Sequence, residues 1–164
     1  LLDSSATQQL TAALACPDAE MKGAAAWTVE QIASHGEATA KPLAEEGILV
    51  ALEPAYKLMP EGGAKTKLKA ATKAVVKGCK SFSHLEPLVK PDTMPDVLRH
   101  VLAEFVLLLE EDVTARRSFV TSGALMRLQA LQDLPHLDER IKASAEKINS
   151  MFPGDVVEYY KTKG

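Results

Sequence analysis

The stretch KGAAAWTVEQIASHGEATAKPLAEEG, residues Lys22 to Gly47, is the strongest indication of the fold because its pattern returns in altered form later in the chain. Its first half places apolar residues at the i, i+1, i+4, i+7 and i+8 spacing of one helix face. These residues are mostly small: Ala25, Ala26, Val29, Ile32 and Ala33. Gly36 and Gly47 stand where helix ends favour a left-handed residue. The stretch predicts a long helix, a turn and a short helix interrupted by Pro42, which is the unit of a helical repeat array.

The composition is that of an ordinary globular protein. The 164 residues are 46% hydrophobic and 25% charged, and the formal net charge at pH 7 is −3. Nucleic acids and anionic membranes favour an excess of Lys and Arg, which this chain lacks. No apolar run approaches the roughly 20 residues of a bilayer-spanning helix. The sequence therefore predicts no nucleic-acid partner and no membrane partner. It begins at Leu1 within an apolar pattern, which favours a fragment of a longer protein.

The two cysteines, Cys16 and Cys79, favour a reducing compartment. Both lie in Ala-rich helical patterns, and neither belongs to a CxxC motif. Cysteines in such patterns are typically buried and free, whereas metal sites have characteristic spacings. We expect two buried free thiols and a cytoplasmic location.

Distances between similar stretches indicate internal repetition. AEEG ends a predicted short helix at Gly47, and VTSG ends another at Gly123, which leaves room for two units of nearly equal length. Ile32, Leu108 and Ile148 align as late core positions of long helices, and Val75 follows Ile32 after 43 residues. These spacings lie near the lower edge of the period of about 40–47 residues that armadillo and HEAT repeats share.

All predicted elements are helices, since hairpin signals are absent and strand-like alternation is rare. Helical patterns cover 48–59, with a kink or break at Pro54 near Glu53, and 64–80. The most apolar stripe follows from about Asp96 and comprises Val97, Leu98, Val101, Leu102, Phe105, Leu108 and Leu109. Further helices are expected over 112–121, 124–131 and 137–151. The predicted single domain, 1–164, consists of a partial repeat (1–36), a repeat (37–81), a degenerate repeat (82–111), a repeat (112–152) and a C-terminal tail (153–164).

Several stretches resemble known proteins. AAAWTVEQIAS, from Ala24, is similar to the third helix of the armadillo repeat, which implies an all-α fold that forms part of a right-handed helical solenoid. A closer resemblance is to the C-terminal armadillo region of the sperm-associated antigen six or paralysed-flagella family. It is carried by KGAAAWTVEQIASH at Lys22, HLEPLV at His84, ARRSFVTSGAL at Ala115 and KINSMFPGDVVEYY at Lys147. The last residues, from Lys161 to Gly164, depart from the longer tail of that family.

That resemblance implies a function as well as a fold. Members of the family are components of the central apparatus of ciliary and flagellar axonemes. The chain is then expected to be a non-enzymatic scaffold of the cytoskeleton that supports motility, with central-apparatus subunits, and tubulin as a further candidate, as its protein partners. A soluble cytosolic armadillo adaptor that binds a peptide or a kinase is the alternative.

The sequence contains no constellation that predicts catalysis. Residues 62–66, GGAKT, only superficially resemble a phosphate-binding loop, because Met59 and Ala64 occupy the positions of the two required glycines. The four histidines are far apart, and none has a Cys or another His at helical ligand spacing. We therefore predict no enzyme, no cofactor, no metal and no small-molecule substrate.

Trp27 and Gln31 form the first of three candidate contact sites. In armadillo proteins that hold extended peptides, a Trp and an Asn four residues apart on the third helix line the concave groove. Trp27 and Gln31 have that spacing, but the aligned positions in later repeats are Ala70 and Ala74, Ala103 and Leu107, then Ala143 and Lys147. Two interpretations remain open for Trp27: contact with a partner segment, or an indole packed between repeats.

The second candidate site is a row of lysines along one face of a helix: Lys65, Lys69, Lys73, Lys77 and Lys80. A solvated helix face explains such a row, and so does docking of an acidic partner such as a tubulin tail. Like charges at i, i+4 each destabilise a helix by about 0.2–0.5 kcal/mol, which favours a binding role if the row is unopposed.

The third candidate site is Arg116 with Arg117. Phe119 and Val120 align with Leu43 and Ala44 and are expected to face inward, so that both arginines face outward. Binding of phosphate or carboxylate is one interpretation. The other is a structural tie from this short helix to Glu110, Glu111 or Asp112.

Overall fold

The computed structural model describes residues 4–163, which form eleven α-helices and one short 3₁₀ helix and contain no strand. The helices are α1 (Ser4–Ala15), α2 (Ala19–Ala33), α3 (Glu37–Glu45), α4 (Ile48–Leu58), α5 (Gly63–Cys79), α6 (Phe82–Leu85), the 3₁₀ helix η1 (Glu86–Leu88), α7 (Pro95–Glu111), α8 (Val113–Thr121), α9 (Ala124–Gln132), α10 (Glu139–Asn149) and α11 (Gly154–Lys163).

The chain divides into two compact units, Leu1–Ser81 and Phe82–Gly164. In the first unit, α5 packs against α2, α3 and α4, while α1 packs against α2 and α4. In the second unit, α7 packs against α8 and α10, while α9 packs against α8, α10 and α11. Within each unit the long helices thus lie beside helices close to them in sequence, which is the arrangement expected of stacked repeats.

In each unit an equivalent glycine connects a short helix to the helix that follows it. Gly47, between α3 and α4, has φ 86°, and Gly123, between α8 and α9, has φ 84°. Such positive φ angles are accessible to glycine at little cost, which explains why both short helices end in this residue. The predicted correspondence between AEEG and VTSG is therefore one of backbone conformation as well as of sequence.

Aspartates begin three of the helices. The side chain of Asp18 accepts a hydrogen bond from the backbone N–H of Glu20 at the start of α2, at 2.8 Å. Asp112 caps α8 and Asp138 caps α10 with the same geometry, each accepting from the N–H two residues later at 2.8 Å. These caps satisfy backbone donors that the first helical turn leaves unpaired.

The helices α2 and α5 lie side by side at the predicted repeat offset. Gly23, near the start of α2, lies beside Ala64 of α5, and Gly78, near the end of α5, lies against Ala33 of α2. The facing positions are about 43 residues apart, as the correspondence of Ile32 with Val75 requires. Val75 and Ile148 are fully buried, as expected of core positions late in a long helix. Ile32 and Leu108 are only half-buried, so the same expectation is met only in part for these two residues.

Neither Pro42 nor Pro54 splits its helix, while the bend expected near Glu53 stays a prediction. The helix α3 is continuous through Pro42, and α4 is continuous through Pro54. In α4 the missing N–H of Pro54 would have bonded to the carbonyl of Val50, four residues earlier. Pro54 and Val50 are both exposed, so water can solvate the freed carbonyl and the helix need not split.

The predicted C-terminal tail, 153–164, contains the helix α11. Backbone N–H groups of Val156 and Val157 donate to the carbonyl of Pro153, which starts α11. Val157 is buried and α11 packs against α9. A proline just before a helix is compatible with a helix start because its missing N–H is not needed there.

The core of the second unit is organised around all four phenylalanines of the chain. Phe105 and Phe119 are fully buried, with ring centroids 5.1 Å apart. Phe82 lies with its edge towards both, at 5.5 and 6.5 Å, and Phe152 stacks on Phe119 at 6.0 Å. Edge-to-face and offset pairs at these distances add stability beyond that of simple burial. The cluster joins residues near the start, middle and end of the unit.

Gly78→Ala tests the close packing of the first unit. A Cβ at this position would lie 2.5 Å from the Cβ of Ala40 and 3.3 Å from the carbonyl oxygen of Ala33. Overpacking costs about 1–3 kcal/mol, which exceeds the gain in helix propensity of about 0.5–1 kcal/mol. We expect a lower free energy of unfolding, measured by urea denaturation. Gly63→Ala in the same helix, where no atom would be contacted, is the control and should not lose stability.

Candidate protein-interaction surfaces

Trp27 and Gln31 lie together on an exposed face of α2. Trp27 is 53% exposed, and Gln31, one turn later, is also exposed. About half of the indole is in solvent, and both interpretations of Trp27 stay predictions. Large apolar side chains left in solvent beside an amide are typical of contact surfaces for a partner.

The aligned positions do not continue this surface. Ala70 and Ala74 are half-buried in α5, and Leu107 in α7 is 53% exposed. Lys147, where another amide would stand, is paired with Glu110 of α7 at 2.9 Å. This aligned position therefore holds an ion-paired lysine instead of an amide. The described residues contain no repeated series of amides that could bind a peptide backbone.

Two of the five lysines in the row interact with other residues of the protein. The ammonium of Lys65 lies 2.7 Å from a carboxylate oxygen of Glu61 and 5.2 Å from the centre of the Tyr56 ring, and its side chain is 17% exposed. Lys69 is half-buried and also has an interaction within the molecule. The condition that the whole row is unopposed is therefore not met for Lys65 and Lys69. Glu61 is four residues before Lys65, a spacing at which opposite charges meet on a helix.

Three lysines of the row remain exposed: Lys73, Lys77 and Lys80. None of them forms an ion pair with another residue of the 4–163 segment. Lys80 ends α5 with a left-handed backbone, φ 44°. We call these residues the three-lysine face. It is a local concentration of positive charge on a chain whose formal net charge is −3.

Arg116 and Arg117 have different environments. The Nε of Arg116 donates to the carbonyl of Leu109 at 2.5 Å, and a terminal nitrogen donates to the carbonyl of Glu110 at 3.3 Å. The predicted tie to this region exists, but it is made to backbone carbonyls rather than to carboxylates. A cation at the end of α7 complements the partial negative charge of the helix terminus. Arg117 is exposed, and Phe119 is buried as predicted.

Arg127 of α9 binds η1 and the residue after it, a contact that the sequence did not indicate. Its Nε donates to the carbonyl of Val89 at 2.8 Å, and a terminal nitrogen donates to the carbonyl of Glu86 at 3.3 Å. The guanidinium also pairs with the carboxylate of Glu86. The Arg127 side chain is 30% exposed and that of Glu86 is 17% exposed, so both charges are largely removed from water. Arg127 thus fixes η1 and the loop after it, because its fork of donors satisfies several acceptors at once.

A cluster of amides connects α9 with the end of α10. Gln129, only 2% exposed, donates to the side-chain oxygen of Asn149 at 2.7 Å, and Asn149 donates to Gln132 at 2.8 Å. Buried amides need such partners, since an unpaired polar group in the core costs stability. This cluster orients α10 rather than presenting a site to a ligand.

Three further features of the described residues concern membrane crossing, metal binding and the cysteines. None of the helices between residues 4 and 163 is long and apolar enough to cross a membrane. This part of the chain has no group of three or more Cys, His or acidic side chains that could hold a metal ion. Neither cysteine forms a disulfide within the described residues, and Cys79 is buried as expected, whereas Cys16 is only half-buried.

Comparison with curated proteins identifies relatives. Sperm-associated antigen 6 of Mus musculus is 33% identical over 146 residues, which cover 88% of this chain. The Homo sapiens protein of the same name is 33% identical over 145 residues. The chain is a homologue of sperm-associated antigen 6. It spans 28% of the length of each of these relatives. No protein-family model matches it.

Solved structures identify the fold of this homologue. Computationally designed armadillo repeat proteins for modular peptide recognition match with a TM-score of 0.57 and 20% identity, over 93% of this chain and 68% of theirs. A crystal structure of an engineered protein matches with a TM-score of 0.56 and 16% identity, over 96% of this chain and 67% of its own. At such low identity the likeness concerns the fold alone. The all-α armadillo-repeat fold predicted from the sequence is confirmed.

Proposed function

We propose that this sperm-associated antigen 6 homologue is a non-enzymatic scaffold in the central apparatus of the flagellar or ciliary axoneme, where it supports motility by holding other proteins. The observation that carries this proposal is the 33% identity to sperm-associated antigen 6 across 88% of the chain. Armadillo helices offer extended surfaces and no chemistry of their own, which suits a scaffold. Its partners are central-apparatus subunits, and tubulin is a candidate among them.

The three-lysine face is the proposed contact for an acidic partner such as a tubulin tail. Lys73, Lys77 and Lys80 are exposed and lack carboxylate partners within residues 4–163. Neighbouring like charges reinforce the local potential at low salt and attract an acidic segment more strongly than one ammonium could. Screening limits this attraction, because the Debye length falls from about 10 Å at 0.1 M salt to about 3 Å at 1 M.

Replacing Lys73, Lys77 and Lys80 together with Gln should weaken binding to microtubules at least severalfold, because the local positive charge is removed. The helix should stay folded, since Gln is a comparable helix former. Co-sedimentation at low salt measures the effect, with microtubules that retain their acidic tails and with microtubules from which the tails have been removed.

The matched control replaces Lys41, Lys142 and Lys161 with Gln, which changes the net charge equally but leaves the three-lysine face intact. The proposal requires that this control binds like the parent chain. Equal binding by the parent and by the Lys73, Lys77 and Lys80 variant, or no binding by the parent, would mean that the face is only solvated.

The alternative is a soluble cytosolic armadillo adaptor that binds a peptide or a kinase. The exposed face of Trp27 and Gln31 favours it, since these side chains have the spacing of a peptide contact. Detergent extraction separates the two functions. A scaffold of the axoneme stays in the insoluble cytoskeleton, whereas an adaptor is released with the soluble proteins.

A further inference from the structure

A groove with a volume of about 410 Å³ runs between α1 and α4 in the first unit. Thr11 and Ala15, one helical turn apart, lie on its α1 side, while Val50, Pro54 and Leu58 follow one another at four-residue spacing on its α4 side. Val50 is 77% exposed and Leu58 is 79% exposed. These three α4 residues form an apolar stripe about 12 Å long, given a rise of 1.5 Å per residue.

Lys22 is the charged residue that lines this apolar groove. The residue is only 9% exposed, and its side chain forms no ion pair or hydrogen bond with any residue from 4 to 163. Its ammonium is not one of the buried polar atoms that lack a partner, so the aliphatic stem is covered while the charged end reaches the solvent in the groove. A carboxylate that entered the groove from a partner would meet this ammonium.

We propose that this groove docks an amphipathic helix of a partner protein, and that one Asp or Glu within the apolar stripe of that helix pairs with Lys22. Apolar side chains of the partner would cover Val50, Pro54 and Leu58. The surface is distinct from the three-lysine face and from the face of Trp27, so this inference does not depend on the axonemal assignment.

The residues that line the groove favour a helical partner over an extended peptide. An extended peptide needs hydrogen-bond partners for its own backbone, and the α4 wall offers little beyond the Val50 carbonyl that Pro54 leaves free. A helix satisfies its backbone internally and presents side chains at i, i+3, i+4 and i+7 to such a groove. A small apolar acid could fill the groove but would leave most of the exposed Val50 and Leu58 surface uncovered.

The probe is a displayed library of helical peptides in which the residues of one face are varied. Selection uses the whole chain, with depletion against the Leu58→Glu variant, which places a charge on the apolar stripe. Leu58 is 79% exposed, so the variant should fold normally. Val113→Glu is the matched control, because Val113 is 73% exposed and lies in the second unit.

We expect the selected peptides to carry an acidic residue among apolar ones and to bind the parent and Val113→Glu chains equally. Lys22→Met, which keeps an apolar stem and removes the charge, should weaken binding of an acidic peptide at least tenfold. The same peptide with its Glu replaced by Gln should bind the parent weakly and lose little more on Lys22→Met, since the lost contact is the same.

Two results would overturn the inference. One is a selection that yields no peptide whose binding depends on Leu58, and the other is a set of groove-binding peptides that bind Lys22→Met as tightly as the parent chain. Thermal melting of each variant distinguishes loss of the surface from loss of the fold.

Discussion

Phe105→Ala is expected to lower the free energy of unfolding of the Phe82–Gly164 unit by about 3–5 kcal/mol, the range measured for Phe-to-Ala changes in cores. Phe105 is fully buried, and its ring contacts those of Phe82 and Phe119. The substitution removes the hydrophobic stabilisation that burial of the ring provides, leaves a cavity and eliminates two edge-to-face contacts. Chemical denaturation followed by circular dichroism measures the change.

The control for this prediction is Leu107→Ala on the same helix. Leu107 is 53% exposed, so its truncation should change stability by no more than about 0.5 kcal/mol. A loss of under 1 kcal/mol for Phe105→Ala would contradict the aromatic core described above. A comparable loss for Leu107→Ala would show that α7 is oriented differently.

Arg127→Met is expected to lower the free energy of unfolding by about 2 kcal/mol. Hydrogen bonds to charged groups contribute about 1.5–3 kcal/mol each, and the 30% exposure of the Arg127 side chain keeps the total near the lower end. The change deprives the carbonyls of Glu86 and Val89 of donors and leaves the Glu86 carboxylate unpaired. Urea denaturation measures the loss.

A double-mutant cycle with Glu86→Gln tests the cause. If the ion pair contributes, the double variant should be more stable than the sum of the two single losses predicts, because each single change already removes the pair. Arg117→Met is the control, since Arg117 is exposed on α8 and should change stability little. Equal losses for Arg117→Met and Arg127→Met would contradict the assignment.

Regular helices were predictable because their signals are local. The apolar spacing from Ala25 to Ala33 depends only on the period of the helix, and Gly47 and Gly123 report a backbone conformation that few other residues adopt. Their similar φ angles are the structural counterpart of the sequence repeat. The prolines were harder to interpret, because whether Pro54 breaks α4 depends on solvent access to a carbonyl four residues earlier.

Side-chain partners were less predictable, because they depend on contacts between distant residues. Arg127 lies 41 residues from Glu86, and no local pattern connects the two. The pairing of Lys65 with Glu61, in contrast, has a four-residue spacing that the sequence does contain. It was missed because Glu61 stands in the PEGG breaker, before the first residue of α5. The burial of Lys22 likewise followed from helix packing and not from its own position in the sequence.

The contact surfaces remain predictions to a greater extent than the fold. The exposure of Trp27, Gln31 and the three-lysine face makes each available to a partner. Exposure alone does not name that partner, since surface charge and apolar area have many uses. The homology to sperm-associated antigen 6 covers 88% of this chain but only 28% of the relatives, so the location of the protein in the cell is the decisive property to measure.

Imaging a fluorescent fusion in demembranated flagella by expansion microscopy tests the axonemal scaffold most directly. We predict a continuous signal along the flagellar axis, at the central pair and inside the ring of outer doublets, that persists after detergent extraction. A signal that is lost on extraction, or that follows the outer doublets instead of the axis, would contradict it.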